Sequence, residues 1–301
     1  MKTRESEKSK DSLVEVSVII PTYKDWERLN LCLLGLKKQS FPSSKFEVII
    51  INNDPTDPIP ELLIEEGWKI IEEKKPGSYA ARNAGMGIAK GNIYAFTDSD
   101  CIPDPNWIKE GVRALESTKI PRVGGKINLF RPEKGSYFAF VYEKYLAFQQ
   151  ERNVKVYKKS VTGNFFAKKH LFEQYGGFDE ELMSGGDFFW NLRLSEHGEK
   201  IAFAEMAIIN HPSRTSLSEI AIKKKRTISG YYKETYSKFN FGEKLRLLLK
   251  RLMPPINRIN HIVYESTMDY FQVLFIRWYV ELVGVKHLIM LQWKGDKNKN
   301  N

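Results

Sequence analysis

The chain has 301 residues, of which 42% are hydrophobic, so it is long and apolar enough to bury one large core or two small ones. Its two cysteines are too few for a disulfide framework and fit a reducing compartment. Residues 1–12 are polar and charged and lack the apolar segment of a secretory signal, so residues 1–13 are predicted to form a disordered tail.

The net charge of +10 is concentrated at one end of the chain. Residues 220–301 hold 16 Lys and Arg against 6 Asp and Glu, and this difference equals the whole net charge. Such a basic segment favours an anionic partner, either nucleic acid or an anionic membrane surface.

Residues 14–126 show strands and helices in alternation. The predicted strands cover residues 16–20, 46–51, 68–71 and 93–96, and the predicted helices cover residues 26–38, 59–66 and 78–89. Asp25 is placed to cap the first helix, and Cys32 falls on its buried side. Because buried strands without polar alternation are separated by helices, we expect an α/β fold with a mostly parallel sheet flanked by helices.

Polar residues follow three of the predicted strands, at the sheet edge where α/β proteins bind ligands. In an extended segment residues i and i+2 point to the same side, so Asp98 and Asp100 are predicted to converge while Ser99 points away. Converging carboxylates repel each other unless a cation lies beside them, which favours a hard divalent ion. A solvated strand end is the alternative.

A turn at Pro76 and Gly77 precedes the helix that carries Arg82 in its first turns. A guanidinium together with the amides of a helix start suits a diphosphate group. The alternative is an ordinary helix start with a solvated arginine.

Four motifs between Val16 and Trp107 resemble the nucleotide-sugar half of the family 2 glycosyltransferases: VSVIIPTY, EVIIINN, PGSYAARNAGMGIAKGN and YAFTDSDCIPDPNW. Further segments between Thr162 and Arg214 look like the acceptor half of that family, and the sequence is similar to members that assemble bacterial exopolysaccharides. The resemblance covers roughly residues 14–230. It implies a Rossmann-like GT-A fold, a nucleoside-diphosphate sugar donor, Mn²⁺ or Mg²⁺, and inversion at the anomeric carbon.

Site residues are carried over only where the motifs match. The resemblance implies donor contacts from Pro21, Thr22, Tyr23, Asn53, Arg82 and Asp98. It implies a metal site formed by Asp100, Asp98 and His211, and Asp187 as the base that deprotonates the acceptor hydroxyl. From the residues alone, Asp187 could equally be a carboxylate that stabilises a helix start, and His211 a structural histidine.

Two positions depart from the pattern of many relatives. Asn52 and Asn53 replace a carboxylate pair, so the nucleotide base that is recognised becomes uncertain, although an amide can still bind a base or ribose. Gly186 stands where many relatives have a glutamate, directly before Asp187.

The predicted organisation is a nucleotide-sugar half at 14–126, an acceptor half at 127–235 and a basic amphipathic helical extension at 236–301. The stretch 271–291 is long enough to span a membrane. It contains Arg277, Glu281 and Lys286, and each charge costs about 2.5–3.5 kcal/mol near a bilayer centre. We therefore expect the extension to lie on an anionic membrane surface, using among others Leu247, Leu248 and Trp278. Helices that only pack on the catalytic half are the alternative.

Together these features predict an inverting hexosyltransferase that moves a sugar to a hydroxyl of a glycan or a lipid-linked saccharide. We expect a cytoplasmic protein, bound peripherally to the inner face of the cell membrane, with no nucleic-acid partner. The alternatives are a nucleotidyltransferase that makes nucleoside-diphosphate sugars and a non-catalytic nucleotide-sugar-binding protein. Nucleic-acid binding is supported by the basic end alone, where the density of leucine favours lipid.

Overall fold

The computed structural model describes residues 14–66 and 68–299, so the predicted tail at residues 1–13 lies outside the described residues. Within these ranges the chain forms one sheet of eight strands. The strands are β1 (Val16–Thr22), β2 (Phe46–Asn52), β3 (Lys69–Glu72), β4 (Ile93–Thr97), β5 (Ile102–Pro103), β6 (Arg122–Phe130), β7 (Asn164–Lys168) and β8 (Ala202–Pro212).

Helices connect the strands and follow the last of them. In the catalytic part they are α1 (Trp26–Lys37), α2 (Glu61–Glu65), α3 (Ser78–Ile88), α4 (Trp107–Thr118), α5 (Tyr137–Leu146), α6 (Gln150–Lys155), α7 (Lys169–Tyr175) and α8 (Gly186–Glu196). After β8 come α9 (Leu217–Glu234), α10 (Phe241–Leu252), α11 (Ile256–Ile259) and α12 (Thr267–Lys299).

The sheet has the strand order β3-β2-β1-β4-β7-β6-β8-β5. The first four of these strands are parallel, as the sequence predicted. The next strand, β7, is antiparallel to both β4 and β6, while β8 is parallel to β6 and antiparallel to β5. The sheet is therefore mixed beyond β4, and β6 runs across residue 126, so the two predicted halves share one sheet.

Each face of the sheet is covered by its own apolar core. On one face, α1 and α4 contribute Leu29, Leu33 and Trp107, which are buried against the central strands. On the other face, α3, α7 and α8 cover the sheet, and the ring of Trp190 stacks on Phe172 with centroids 4.3 Å apart. Because both faces are covered, β1 and β4 are buried along their whole length, which explains their continuous apolar sequence.

Two local predictions differ from the structure. Asp25 makes no side-chain cap to α1; its carboxylate instead accepts from the Arg28 Nε at 2.7 Å and from the Ser99 hydroxyl at 3.2 Å. Helix α2 is shorter than predicted and begins only after Pro60. Proline disfavours a helical conformation in the residue before it and has no amide hydrogen to donate. Pro58 and Pro60 therefore prevent the helix from starting earlier.

The C-terminal helices pack on the catalytic part around one buried carboxylate. Glu281 of α12 is 1% exposed and lies 3.1 Å from Lys224, 3.4 Å from Arg251, 3.6 Å from Arg258 and 3.0 Å from Arg277. Burial opposes the ionisation of Glu281, but the surrounding cations outweigh it and lower its pKa. This carboxylate therefore ties α9, α10 and α11 to α12.

Leu247 and Leu248, which the sequence placed at a membrane surface, pack instead with Ile228 and Leu288. The indole of Trp278 donates to the carbonyl of Leu252 at 2.9 Å, so it joins α12 to α10. Among the residues that the structure describes, no helix combines the length and the apolarity needed to cross a membrane.

We predict that Glu281→Gln lowers the free energy of unfolding by about 3–5 kcal/mol, because four cations lose their buried partner. The effect depends on pH. The pKa of Glu281 is lower in the folded protein than in the unfolded chain, so its contribution to stability is present above the unfolded pKa and is lost as pH falls through the folded pKa.

Urea unfolding at pH 7 and at acidic pH checks this, and the two proteins should converge in acid. Glu116→Gln, on the exposed side of α4, is the matched control and should leave stability within about 0.5 kcal/mol. Equal stability of Glu281→Gln and wild type at pH 7 would contradict the role of this carboxylate.

Candidate active site

A cavity of about 1560 Å³ opens at the carboxyl ends of β1, β2 and β4 and extends under α9. Its walls include residues from the strands, from the turn before α3, and from α8 and β8. All nine predicted site residues line it: Pro21, Thr22, Tyr23, Asn53, Arg82, Asp98, Asp100, Asp187 and His211.

Asp98 and Asp100 lie in a tight turn directly after β4, and the prediction of an extended segment was wrong. The amide of Cys101 donates to the carbonyl of Asp98 at 3.1 Å, which closes the turn. Ser99 points away from the two carboxylates, as expected, and contacts Asp25. The carboxylates do converge, but a turn brings them together rather than the two-residue period of a strand.

The side chains of Asp98, Asp100 and His211 form a set of ligands that fits a divalent ion. With the thiol of Cys101, their ligand atoms all lie within 4.8 Å of one another. His211 Nδ1 contacts the carbonyl of Pro212 at 2.6 Å, and its Nε2 lies 3.5 Å from Asp100 Oδ1. Because Nδ1 donates its hydrogen to the backbone carbonyl, Nε2 is left as the ligand atom beside two carboxylates.

Two guanidinium groups accompany these carboxylates. Arg82 is 3% exposed and its Nη2 pairs with Asp98 Oδ1, while Arg28 Nη1 lies 3.5 Å from Asp100 Oδ2. Within the described chain, the buried Nε of Arg82 has no hydrogen-bond partner. Arg82 is thus held at the cavity wall by Asp98 and retains donor capacity.

Asp187 lies in the first turn of α8 and is 8% exposed. Its Oδ1 accepts from the Tyr79 hydroxyl at 3.0 Å and from the Phe188 amide at 2.9 Å, and its Oδ2 accepts from the Thr162 amide at 3.1 Å. Burial raises the pKa of Asp187, although these bonds and the charge of Arg82 oppose the rise. The less occupied oxygen, Oδ2, has a lone pair that can accept a proton.

Tyr79 explains the departure at Gly186. A Cβ added to Gly186 would lie 2.8 Å from Cε2 of the Tyr79 ring, so no larger side chain fits there unless the ring moves. Tyr79 is 5% exposed and its hydroxyl contacts Asp187. Sequence reasoning missed this contact, although Tyr79 stands inside the PGSYAARN motif; the signal was an aromatic residue at the start of α3, among small and charged residues.

The two-residue segment of Thr162 and Gly163 lies between the two carboxylate sites. The amide of Thr162 contacts Asp187, and the next residue, Gly163, approaches Asp98 so closely that an added Cβ would lie 3.2 Å from Asp98 Oδ2. The carbonyl of Gly163 accepts from the Thr97 hydroxyl at 3.2 Å. Asp98 and Asp187 therefore occupy neighbouring parts of the cavity on either side of this peptide.

The amide of Asn53 is occupied by the loop before α3. Its Nδ2 donates to the carbonyls of Glu73 and Lys75 at 3.0 and 2.8 Å, and its Oδ1 accepts from the Gly77 amide at 2.8 Å. These bonds position the turn that starts α3. Direct contact of Asn53 with a nucleotide stays a prediction, and it would have to use the second lone pair of Oδ1.

Helix α8 is held in place by a buried arginine that sequence reasoning also missed. Arg122 is 0% exposed and donates to the carbonyls of Asn191, Glu199 and Lys200 at 2.9, 2.9 and 3.2 Å. Burial lowers the pKa of Arg122 to about 10. Asn191 in turn donates to the carbonyl of Asp187 at 2.9 Å, so Arg122 positions the helix on which Asp187 stands.

This arrangement of a parallel sheet that becomes mixed, with an acidic cluster at the end of β4, defines a glycosyltransferase of the GT-A fold. Residues 17–175 match the family model described as glycosyl transferase family 2, and the chain belongs to that family. The predicted fold class is thereby confirmed.

Two curated relatives illustrate the match. Glycosyltransferase AglE of Haloferax volcanii is 34% identical over 205 residues, which are 66% of this chain and 67% of AglE. A Methanococcus voltae enzyme is 24% identical over 230 residues, which are 71% of each chain, and its name is dolichyl N-acetyl-alpha-D-glucosaminyl phosphate 3-beta-D-2,3-diacetamido-2,3-dideoxy-beta-D-glucuronosyltransferase.

Two solved structures share the fold. Staphylococcus aureus TarS 1-349 in complex with UDP superposes with a TM-score of 0.53 at 16% identity, covering 89% of this chain and 90% of that chain. The mannosyltransferase PcManGT from Pyrobaculum calidifontis, in complex with GDP-Man and Mn²⁺, superposes with a TM-score of 0.58 at 15% identity, covering 93% and 75%.

We predict that Tyr79→Phe shifts the acid limb of the pH profile of kcat/KM to higher pH. The Tyr79 hydroxyl stabilises ionised Asp187, so its loss raises the pKa of this carboxyl further, and a higher pH is needed to ionise it. Tyr94→Phe is the matched control, because Tyr94 is buried in the same core outside the cavity. Equal shifts in both variants would contradict a specific effect on Asp187.

Proposed function

We propose that this glycosyltransferase moves a sugar from a nucleoside-diphosphate donor to a hydroxyl of a glycan or a lipid-linked saccharide, with inversion at the anomeric carbon. The observation that carries the proposal is the pair of carboxylate sites on either side of the Thr162 and Gly163 peptide. One holds the acidic and histidine ligands; the other holds a buried aspartate with a raised pKa. Titratable groups in contrasting environments within one cavity are the arrangement that acid–base chemistry requires.

The donor side is formed by the ends of β1 and β2, the start of α3 and the turn after β4. The residues proposed to contact the donor are Pro21, Thr22, Tyr23, Asn53, Arg82 and Asp98. Asp98, Asp100 and His211 would hold Mn²⁺ or Mg²⁺, which supplies positive charge that stabilises the departing diphosphate. The buried hydroxyl of Thr22 has no hydrogen-bond partner within the described chain, which supports a polar ligand on this side.

The acceptor side is proposed to use Asp187 as the general base. The oxygen of the acceptor hydroxyl forms a bond to the anomeric carbon while the bond from that carbon to the diphosphate oxygen breaks. The proton of the hydroxyl passes to Asp187 Oδ2, and the bonding electron pair leaves with the diphosphate. Attack opposite to the leaving group inverts the anomeric centre.

Several relatives support this choice of substrates. TarS has been crystallised with UDP and with UDP-GlcNAc, and PcManGT with GDP-Man and Mn²⁺. The names of the relatives from Methanococcus voltae and Staphylococcus aureus specify a dolichyl-phosphate saccharide and poly(ribitol-phosphate) as acceptors. By similarity, we propose a saccharide acceptor of a cell-surface glycan pathway.

We propose a peripheral position at the cytoplasmic face of an anionic membrane, and two exposed apolar stripes support the membrane contact. On α10 and α12 the exposed side chains recur at the same helical spacing: Phe241, Leu245, Leu249 and Leu252, then Phe271, Phe275, Tyr279 and Leu282. We call these eight residues the apolar stripes. Lys250 and Arg246 are exposed beside the first stripe. Apolar burial together with basic charge is sufficient for reversible attachment to anionic lipid.

The proposed roles predict that two aspartates fail in different ways. Asp100→Asn should remove Mn²⁺-dependent binding of a nucleoside diphosphate, because a metal ligand is lost. Asp187→Asn should keep that binding within about twofold while lowering kcat by roughly 10²–10⁴, as expected for the loss of a general base. Calorimetric titration of UDP and GDP with Mn²⁺ or chelator, and turnover with a panel of donor sugars, measure the two effects.

Asp104→Asn is the matched control, since Asp104 follows the same turn and lies outside the cavity. Equal nucleotide affinity with Mn²⁺ and with chelator would contradict the proposed metal site. Loss of donor binding in Asp187→Asn would show that this residue serves the donor. Binding without turnover for every donor tested would favour a non-catalytic nucleotide-sugar-binding protein.

The apolar stripes predict binding to vesicles that contain anionic lipid, with weaker binding in high salt, because exposed charges are screened over about 8 Å at physiological ionic strength. The double variant Leu249→Asp and Phe275→Asp should release the protein in a vesicle sedimentation assay. Leu62→Asp, an exposed leucine of α2, is the matched control and should leave binding unchanged. Equal binding to neutral and anionic vesicles, or no binding at low salt, would refute the membrane position.

A further inference from the structure

A group of basic side chains lines the part of the cavity formed by α6 and the C-terminal helices. Arg152 comes from α6, Lys223 and Arg226 from α9, Arg258 from α11 and Arg277 from α12. We call these five residues the basic wall. Helix α6 packs on β6 and β8, and α9 packs on α12, whereas the donor residues stand at the ends of β1 and β2, beyond β4 in the sheet order.

Carboxylates are fewer than cations along the basic wall; Glu219 lines the cavity, and Glu143, which faces Lys223, is paired with Arg214. Arg258 and Arg277 share the carboxylate of Glu281, at 3.6 and 3.0 Å. Within the described chain, Arg152, Lys223 and Arg226 form no ion pair with a carboxylate; Arg152 instead contacts the ring of His261. Burial lowers the pKa of Lys223 to about 8; Arg214 and Arg226 add to this fall, while Glu143 and Asp98 oppose it. Cations therefore outnumber carboxylates on this side of the cavity, which makes it electropositive.

Helix α9 runs from the region of His211 toward the loop before α8, and its Lys223 and Arg226 belong to the basic wall. The Lys223 Nζ lies 4.8 Å from the centroid of the Phe148 ring, which in turn lies 4.4 Å from the centroid of the His211 ring. Two turns later Gly230 packs against the loop before α8, where an added Cβ would lie 2.6 Å from the Ser184 carbonyl oxygen. Arg226 stands on the helix between these two contacts, on the side that faces the cavity.

The rim of the basic wall is continuous with exposed apolar surface. Arg258, His261 and Ile262 line the cavity, and the neighbouring residues Ile256 and Val263 are 43% and 91% exposed. This segment follows α10 and precedes α12, the two helices that carry the apolar stripes. An anion bound at the basic wall would therefore have hydrocarbon-compatible surface directly outside the cavity.

We propose that the acceptor is a lipid-linked saccharide whose phosphate is bound by the basic wall, with Arg226 as its main contact. The hydrocarbon chain leaves the cavity past Ile256 and Val263 toward the membrane, and the sugar hydroxyl reaches Asp187. This inference rests on the proposed function and selects one acceptor class within it. Guanidinium groups suit phosphate oxygens because their donors form a planar fork, and a neutral glycan would leave this charge without a partner.

The test is the binding of geranyl phosphate, a short isoprenyl phosphate, to the full chain with Mn²⁺ and nucleoside diphosphate present. We expect binding in addition to the nucleotide, and Arg226→Gln should weaken it about tenfold, the loss expected for one charged hydrogen-bond partner. Lys225→Gln is the matched control, because it removes the same charge from the adjacent residue of α9, which lies outside the cavity. Its affinity should stay within about twofold of wild type.

Three comparisons decide the result. Geraniol should fail to bind at this site, and inorganic phosphate should bind more weakly than geranyl phosphate; equal affinity of the two phosphates would overturn the lipid part of the inference. Competition between geranyl phosphate and nucleoside diphosphate would assign the basic wall to the donor and overturn the inference, as would unchanged binding by Arg226→Gln. Absence of nucleotide binding itself would refute the proposed function instead, so the two failures are distinguishable.

Discussion

The electrostatic cost of placing Asp98 and Asp100 together at the end of β4 is the constraint on which the site depends. The turn after β4 brings the carboxylates close, and such a pair persists only where positive charge lies beside it. Arg82 of α3 pairs with Asp98, Arg28 of α1 approaches Asp100, and β8 adds His211. Three elements that are distant in sequence therefore meet at one point. Strand β5 begins two residues after Asp100 and pairs Ile102 with Asn210 of β8, which brings His211 beside the carboxylates.

A second carboxylate in the same cavity has the opposite environment. Asp187 has no ion pair among the described residues; it receives neutral hydrogen bonds from Tyr79, Thr162 and Phe188, and burial raises its pKa. The first pair is surrounded by charge and suited to hold a cation, while Asp187 is suited to accept a proton. The same chemical group thus acquires two properties from its surroundings. Arg122 contributes at a distance, because it fixes the helix that carries Asp187.

In the C-terminal helices, basic side chains that are close in sequence lie in different surroundings in the folded protein. Glu281 forms ion pairs with cations from four helices, so part of the excess positive charge is paired inside the protein. Another part forms the basic wall inside the cavity, and a third part, such as Lys250, is exposed beside the apolar stripes. The basic segment is therefore divided among three surroundings, with Arg258 and Arg277 shared by the first two, and a charge count alone cannot separate them.

The sequence by itself determined the order of the elements and the edge of the sheet that forms the site. Continuous apolar strands, helical spacing and polar residues at strand ends are local patterns, and they sufficed for the parallel part of the sheet. The nine site residues came from the family resemblance; the structure brings them to one cavity, and their roles stay predictions. Tertiary structure alone decided that β7 reverses direction, that a turn rather than an extended segment joins Asp98 to Asp100, and that Tyr79 and Arg122 support Asp187. The reversal of β7 and the contacts of Tyr79 and Arg122 depend on residues about 70 to 110 positions apart, for which a single sequence has no local signal. The turn at Asp98 is local, closed by the Cys101 amide, but nothing in the residues distinguishes it from an extended strand end.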